Sequence, residues 1–394
     1  MSPSPSPLPP DRPQTSPPMR IAIVGAGSAG LLLAALLQRQ GHRVSLLERA
    51  PQVRCDGCGI LLVKSGVEAL AAAELPGLLE RVLAAGVPVS RFVVRNLRGD
   101  LIESSPAARE PGELPSLLVP RRAIQEALAA QLAPGVLRGG AELLSWRQEA
   151  PPAASCDPAG EGPVQLVLAD GGRWQGDLLV GADGLFSKVA PLLDPRRHLN
   201  YLGDRVWRGV VRDRTFCRDG EFFVYARGRG VYANVFDLGQ DAQGQPLTHW
   251  GLFQEEPLPA DRQEQRRLLG EPVPKEALAK LPADLAALMR ATPPQDVVAN
   301  WSFDIDPLPH LVGGRVALVG DAAHAMSSSQ ARGMTAGLED AVSLARHLAS
   351  DAEPGAALAA YEAERLPVVH GYQQRSRSVS ERTGRRRPPQ VQKA

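Results

Sequence analysis

Cysteine is scarce: four residues in 394, at Cys55, Cys58, Cys156 and Cys217. A chain this long buries enough apolar surface to fold without disulfide staples, and the spacing suggests no disulfide framework. Cys55 and Cys58 form one C-x-x-C, but no second pair of ligands stands at a zinc-site spacing, so no metal is expected. Arg54, Asp56, Gly57 and Gly59 around the pair read as a loop, not as the helix start that a thioredoxin-type dithiol needs. The scarcity fits a reducing, cytoplasmic setting. An excess of charge is also missing: 44 basic and 43 acidic residues leave a net charge of +1. No overall field then favours nucleic acid or an anionic membrane. No apolar run reaches the ~18–20 residues that span a bilayer. The longest, Ile21 to Leu37, is interrupted by Gly25, Gly27, Ser28 and Gly30. Residues 1–18 are rich in proline and serine, without the apolar core of a signal peptide, and are expected to be a disordered leader. There are no internal repeats.

What is present begins at Ile21. Ile21 to Val24 is a short apolar strand, and Gly25-Ala-Gly-Ser-Ala-Gly30 follows it. Leu31 to Gln40 reads as a helix closed by Gly41, and Val44 to Leu47 as a second buried strand ending in Glu48. This is a βαβ unit with a G-x-G-x-x-G turn in the context that gives the motif meaning. Gly25 permits the tight turn, Gly27 lets the backbone approach a pyrophosphate, and Gly30 lets helix and strand pack closely. The helix N-terminus offers free N–H groups and partial positive charge to phosphates. Glu48 can accept hydrogen bonds from a ribose. A dinucleotide is implied, but NAD and FAD share this cradle.

Two later segments decide between them. Asp177-Leu-Leu-Val-Gly-Ala-Asp-Gly184, followed by Ser187, is an apolar strand ending in Gly181-Ala182-Asp183-Gly184. Val316-Ala-Leu-Val-Gly-Asp-Ala-Ala-His324 delivers Gly320 and Asp321 to another strand end, and the text runs on through Gly333 to Glu339-Asp340. Strand ends of a parallel sheet are where ligands sit. An aspartate there can bind a ribityl hydroxyl, and the next helix N-terminus can stabilise negative charge on a flavin ring.

Elsewhere, Val119 to Leu132 reads as a helix opened by Pro120. Val164 to Leu168 and Trp174 to Val180 read as a hairpin leading into a buried strand. Residues 151–163 read as a loop. Tyr201 to Gly251 is β-rich, with runs at Val206–Val211, Glu221–Ala226 and Val231–Phe236. Leu258 to Arg290 turns helical, as do Ala336–Ser350 and Ala356–Arg365. The tail from Arg375, with Arg385-Arg386-Arg387, is expected to be solvated.

From Arg20 to Arg377 the sequence resembles the flavin-dependent aromatic hydroxylases of the p-hydroxybenzoate hydroxylase fold. The glycine cradle, the Gly181-Ala182-Asp183-Gly184 motif and the Gly320-Asp321 motif stand in that family's order. Lesser matches are Arg54-Cys-Asp-Gly-Cys-Gly-Ile60, Arg121-Arg-Ala-Ile124 and Tyr361-Glu-Ala-Glu-Arg365. The resemblance implies an α/β fold: a Rossmann-like FAD-binding domain with an inserted, mostly antiparallel β-sheet substrate domain. The expected boundaries are 19–90, 112–193 and 301–374 for the FAD-binding parts, 91–111 and 194–300 for the substrate sheet, and 375–394 for a basic tail.

The same resemblance implies bound FAD, transient NADPH or NADH, molecular oxygen and a small, aromatic substrate. The implied reaction is hydroxylation or epoxidation. Cofactor contacts are implied for Gly25, Gly27, Ser28, Ala29, Gly30, Glu48, Arg49, Arg54, Arg121, Asp183, Gly320, Asp321, Gly333, Met334 and Thr335. Among these, Glu48 would take the adenosine ribose, Arg121 the phosphates or ribityl chain, and Arg54 the flavin path. Asp183 would support the cofactor and a reduced nicotinamide, and Asp321 the ribityl and pyrophosphate region.

The pattern departs from the family in one place. Many members have prolines and a Gly-Gln-Gly before the last helix. Here the text is His324-Ala-Met-Ser-Ser-Ser-Gln-Ala-Arg-Gly333, with Ala331-Arg332-Gly333 in place of Gly-Gln-Gly. The following Gly333-Met-Thr-Ala-Gly337 resembles kynurenine 3-monooxygenase locally. Arg332 and Gly333 are the candidate flavin-edge residues, Arg332 through its fixed charge. His324 is expected to be structural. The altered loop keeps two rivals open: a same-fold reductase or cyclase acting on an isoprenoid-like substrate, and a flavin-binding protein without turnover. Candidate pocket residues in the β-rich middle are Trp207, Arg208, Phe223, Tyr225, Tyr232, Asn234, Phe236, His249 and Trp250. Alternation assigns them to two faces without saying which face holds substrate.

Overall fold

The computed structural model describes residues 17–53, 58–149, 162–213, 216, 219–241, 243–350 and 353–382. A six-stranded sheet carries the first strand at its heart. Its order is Val312–Gly313, Val316–Leu318, Leu178–Gly181, Arg20–Val24, Arg43–Leu47 and Leu137–Arg138. The inner pairs are parallel. Ile21, Ala22, Ile23, Leu178, Leu179 and Val180 have no exposed surface. That is the continuous apolar text of strands covered on both faces. The helix Ser28–Arg39 ends as its sequence predicts. Gly41 takes φ +84°, and the N–H groups of Gly41 and His42 bond the carbonyls of Gln38 and Leu37.

A seven-stranded sheet forms the second layer. Its order is Val297–Ile305, Leu199–Arg212, Pro246–Glu255, Val231–Gln240, Glu221–Gly228, Arg91–Arg95 and Leu101–Pro106. All pairs are antiparallel except Glu221–Gly228 with Arg91–Arg95. One face, with Trp207, Phe223, Tyr225, Val235, Trp250 and Leu252, packs on Leu278, Leu285 and Met289 of the short helices beside it. The other face, with Phe222, Phe236 and Leu238, packs on Leu61 and Leu118. Those two belong to a small sheet of Gly59–Leu62, Leu117–Pro120 and Val87–Pro88. A hairpin sheet of Leu143–Gln148, Val164–Leu168 and Arg173–Gly176 completes the fold.

Three local expectations need correction. Leu117–Pro120 is a strand and the helix is Arg121–Ala129, so Pro120 precedes the helix instead of lying inside it. Leu117, Leu118 and Val119 are fully buried against Gly59–Leu62, and that burial favours the strand. The helical stretch after Leu258 is three short helices, Arg262–Leu269, Lys275–Leu278 and Ala283–Ala291. Gly270, Pro274 and Pro282 punctuate it. The last helix runs unbroken from Pro354 to Arg382, so the chain does not leave the fold at Arg375. Tertiary partners hold it there. Ser327 Oγ bonds the Ser376 carbonyl and Ser380 Oγ, and Arg377 pairs with Asp304 and Asp306. Sequence periodicity carries no trace of these contacts. Among the described residues, no helix is long and apolar enough to cross a membrane, and no group of three metal-ligating side chains comes together.

Candidate active site

Each glycine of the cradle is a glycine for its own reason. Gly25 takes φ +106°, and a Cβ there would lie 2.3 Å from the Ala182 carbonyl oxygen. A Cβ on Gly30 would lie 2.0 Å from the Gly25 carbonyl oxygen. Both are forced by the protein's own packing. Gly27 is different. Its backbone is extended at φ −73°, and a Cβ would meet nothing within 4 Å. It precedes the first turn of Ser28–Arg39, which no side chain caps and no acidic residue flanks. An open space beside uncapped N–H groups is what a pyrophosphate requires. The residues present therefore fit FAD.

Glu48 lies beside the cradle turn. Its two carboxylate oxygens accept the N–H groups of Ala26 and Ala50, each at 2.9 Å. Two further acceptor positions remain on the carboxylate for a ribose. Arg49 is exposed beside it, and Ser28 is buried in the first turn. Ala29 has a packing role, because Cβ atoms on Gly320 and Gly337 would approach its methyl to 3.4 and 3.2 Å. The helix Gly333–Ser350 therefore crosses close over the cradle helix.

Asp183 lies against the cradle, since a Cβ on Gly25 would also reach its Cα. Its carboxylate accepts from Ser187 Oγ at 2.6 Å and from the Lys188 and Val189 N–H groups. Burial raises its pKa, and these hydrogen bonds work against the rise. Gly320 takes φ +62° and delivers the exposed Asp321 to the first turn of Asp321–His324. A Cβ on Gly333 would stand 3.6 Å from Asp321 Oδ1, so the carboxylate sits at the N-terminus of the long helix. Met334 is half-buried. Thr335 is fully buried, and its Oγ1 has no hydrogen-bond partner.

Under this loop runs a buried ionic chain. Asp340 accepts from Gly320 N–H at 2.9 Å, His324 Nε2 at 2.5 Å and Arg365 Nε at 2.8 Å. Arg365 also pairs with Glu339. Burial opposes charge on both His324 and Asp340. Their mutual attraction prevails, raising the histidine's pKa and lowering the aspartate's. His324 has no exposed surface, which is the structural place expected for it. Arg332 is half-buried. It donates to Ser65 Oγ at 2.9 Å and lies 5.1 Å from the centre of the Tyr372 ring. The arginine thus fastens the altered loop to two neighbouring helices.

Arg121 is exposed at its helix start, and its N–H bonds the Cys58 carbonyl at 2.9 Å. Arg54 lies outside the described residues. One residue escaped sequence reasoning altogether. Arg197 is half-buried between the two aspartate motifs and donates to the carbonyls of Leu185, Asp321 and Ala322. Burial lowers its pKa, against the pull of Asp183 and Asp321. It stands in an ordinary loop with no motif, so only the fold reveals it.

The register settles the two faces of the larger sheet. Trp207, Phe223, Tyr225 and Trp250 belong to the helix-packed face. Arg208, Gly251, Asn234 and Val224 form one row of the opposite face. His249, Phe236 and Phe222 form the next. This face turns toward Gly59, whose N–H bonds His249 Nδ1 at 3.0 Å. Phe222 and Phe236 stack 5.0 Å apart at 12°. Arg208 bonds Asn300 and lies over the Phe253 ring. Asn234 Oδ1 is buried without a partner. An apolar aromatic wall with a few convergent polar groups is the usual make-up of a small-molecule site. A separate cleft of about 570 Å³ is lined by Arg95, Phe216, Phe223, Tyr225 and Asp284. It opens on the helix-packed side of the sheet, where Phe223 and Tyr225 lie.

A family model for the FAD binding domain matches residues 19–376. The chain is 32% identical over 359 residues to the aurachin C monooxygenase/isomerase of Stigmatella aurantiaca, covering 90% of this chain and 87% of that one. It is 31% identical over 382 residues to a 3-amino-4-hydroxybenzoate 2-monooxygenase of Streptomyces platensis, covering 91% and 87%. Its fold matches a single-residue variant of Klebsiella pneumoniae HpxO complexed with FAD. The TM-score is 0.77 at 25% identity, over 93% of this chain and 90% of that one. The chain therefore belongs to the FAD binding domain family of flavin-dependent aromatic hydroxylases, and it is an FAD-dependent monooxygenase that draws its electrons from NAD(P)H.

Proposed function

We propose that the enzyme hydroxylates a small planar aromatic compound bearing an oxygen substituent, seated between the cofactor and the Arg208–His249 face of the larger sheet. The observation that carries this reading is the unequal pair of sheet faces. Among the described residues, the face toward Gly59 carries the stacked phenyl rings beside the unpartnered Asn234 Oδ1 and the open His249 Nε2. A relative whose name gives 3-amino-4-hydroxybenzoate as substrate supports the same class.

The redox chemistry is supplied by bound FAD, which takes electrons from NAD(P)H and uses oxygen. This chain's residues hold and orient. Glu48 takes the adenosine ribose and Asp321 the ribityl and pyrophosphate region. Arg121 and Arg49 would supply positive charge along the phosphates, and Asp183 would support the cofactor and a reduced nicotinamide. Arg197 and Asp340 act as positioning residues, fixing the two strand ends from which Asp183 and Asp321 project. Gly333 starts the helix whose partial positive charge stabilises a reduced, anionic ring. Arg332 contributes there chiefly by holding that helix start in place. In this division of labour, residues 19–90, 112–193 and 301–374 carry the cofactor, and 91–111 and 194–300 wall the substrate. A cytoplasmic location fits the scarcity of cysteine.

The test is a panel of oxygen-bearing aromatic compounds, with NADPH oxidation and oxygen uptake followed together. The expected result is that at least one compound accelerates flavin bleaching and gains one oxygen atom in step with oxygen uptake. If no compound accelerates bleaching of the holoenzyme, the aromatic-substrate reading fails.

A further inference from the structure

We infer that His249 selects the substrate: its Nε2–H donates a hydrogen bond to an oxygen carried by the aromatic ring, a ketone or phenol oxygen, and so decides which ring compounds the site accepts. This rests on the reading that the ring lies on this face of the sheet. His249 stands in the middle of the seven-stranded sheet, paired with Val210 on one side and Phe236 on the other. It is only 2% exposed.

The backbone of Gly59 determines which nitrogen of the imidazole is the donor. Its N–H donates to Nδ1 at 3.0 Å, so the proton of the neutral ring sits on Nε2. Gly59 can come this close because it has no side chain. A Cβ there would stand 2.8 Å from His249 Cβ, from Leu238 and from Phe236. The ring is held in place as well as in tautomer. Phe236 lies 4.3 Å away centre to centre, and Phe236 in turn stacks on Phe222.

Among the described residues, Nε2 meets no partner. The residue is almost wholly buried, yet Nε2 is not among the atoms sealed inside the protein, so it is the ring nitrogen left open to meet an acceptor. Burial, followed by the charge of Arg208, lowers the histidine's pKa to about 3. The ring is then a neutral donor throughout the working range, not an acid or base. A neutral donor in a dry pocket recognises an acceptor atom. A site built to bond a ring oxygen rejects the analogue that lacks it far more strongly than an apolar pocket could.

The experiment uses FAD-loaded enzyme and paired probes: 4-hydroxyquinoline with quinoline, 4-hydroxybenzoate with benzoate, and uric acid with purine. Dissociation constants are read from the change in flavin absorbance for wild type, His249→Gln and His249→Phe. The wild type is expected to favour the oxygen-bearing member of at least one pair by about tenfold or more. His249→Phe reduces that preference to within about twofold, and His249→Gln, which still offers an N–H, keeps part of it. A preference that survives in His249→Phe overturns the proposal, as does a wild type that favours no oxygen-bearing member. If His249→Phe fails to hold FAD, nitrogen NMR of histidine-labelled wild type decides. A neutral Nε2–H ring from pH 8 to pH 5 is expected, and a cation above pH 5 or an Nδ1–H ring overturns the proposal. Oxygen uptake keeps the two readings apart. Selective binding without uptake counts against hydroxylation and leaves His249 standing, whereas uptake with unchanged selectivity in the variants counts against His249 alone.

Discussion

The two faces of the seven-stranded sheet are built from the same strands, yet they finish their hydrogen bonds differently. On the helix-packed face every tryptophan has a partner for its indole N–H. Trp207 bonds the Glu271 carbonyl, Trp250 bonds Thr292 Oγ1 at 2.7 Å, and Trp301 bonds the Gln265 carbonyl. On the face toward Gly59, His249 Nε2 and Asn234 Oδ1 have none. The first face is a packed core, although Thr248 Oγ1 and Gln254 Oε1 on it also lack partners. The second places an open imidazole N–H and the unpartnered Asn234 Oδ1 beside aromatic rings, where a ligand can complete them. The same contrast divides the cradle. Gly25 and Gly30 are required by protein contacts, and Gly27 borders open space.

The strongest challenge to that contrast is removal of a large side chain from each face. Trp250→Ala should cost about 3–5 kcal/mol of stability, as large core truncations do. It also leaves the buried Thr292 hydroxyl without its indole donor. Asn234→Ala should cost much less, because the atom removed bonds nothing in the protein, while weakening ligand binding. Urea unfolding of both variants checks this. Equal losses would erase the distinction between the faces.

The cradle offers the next test. Gly27→Val should retain its circular dichroism yet purify without FAD, because the new side chain occupies the open space. Gly30→Ala should instead lower stability directly through the clash with Gly25. Flavin content and thermal melts separate the two. A Gly27→Val protein with full flavin would show that the phosphates lie elsewhere.

A smaller effect is expected with pH. The depressed pKa of His249 means that the unfolded chain binds a proton below about pH 6.5 while the folded chain does not until about pH 3. Its contribution to stability is therefore full above pH 6.5 and declines as pH falls toward 3. Denaturant titrations at pH 7.5, 6 and 5 should show a shallower acid decline in His249→Gln than in wild type. Parallel curves would mean that the imidazole is charged or solvated. The smallest change is Arg332→Gln. It removes the contact with the Tyr372 ring, worth about 0.5–1 kcal/mol at a partly exposed site. It should lower the flavin reduction potential slightly. An unchanged potential would make Arg332 purely a fastening of the loop.

The sequence carried the parallel sheet plainly, because strands such as Ile21–Val24 are apolar throughout and glycines punctuate their ends. The order of the three cofactor motifs was legible for the same reason: each is a local strand-end turn. Alternation in the β-rich middle showed strands but could not assign faces. Tyr225 and Asn234 look equally suited to a pocket until pairing places one behind the sheet and one before it. Arg197 and the Gly59–His249 contact were illegible, since each joins segments far apart in the chain. The extension of the last helix past Arg375 depends on Ser327 and Asp304, more than 40 residues away.

The most direct test is a crystal structure of the FAD-loaded enzyme with an oxygen-bearing ring compound that quickens flavin bleaching. The ring oxygen should lie at ordinary hydrogen-bond distance, about 2.7–3.2 Å, from His249 Nε2, with the ring on the Arg208–His249 face of the sheet. A ligand found instead in the cleft of Arg95, Phe223, Tyr225 and Asp284, with nothing opposite His249, would contradict the account.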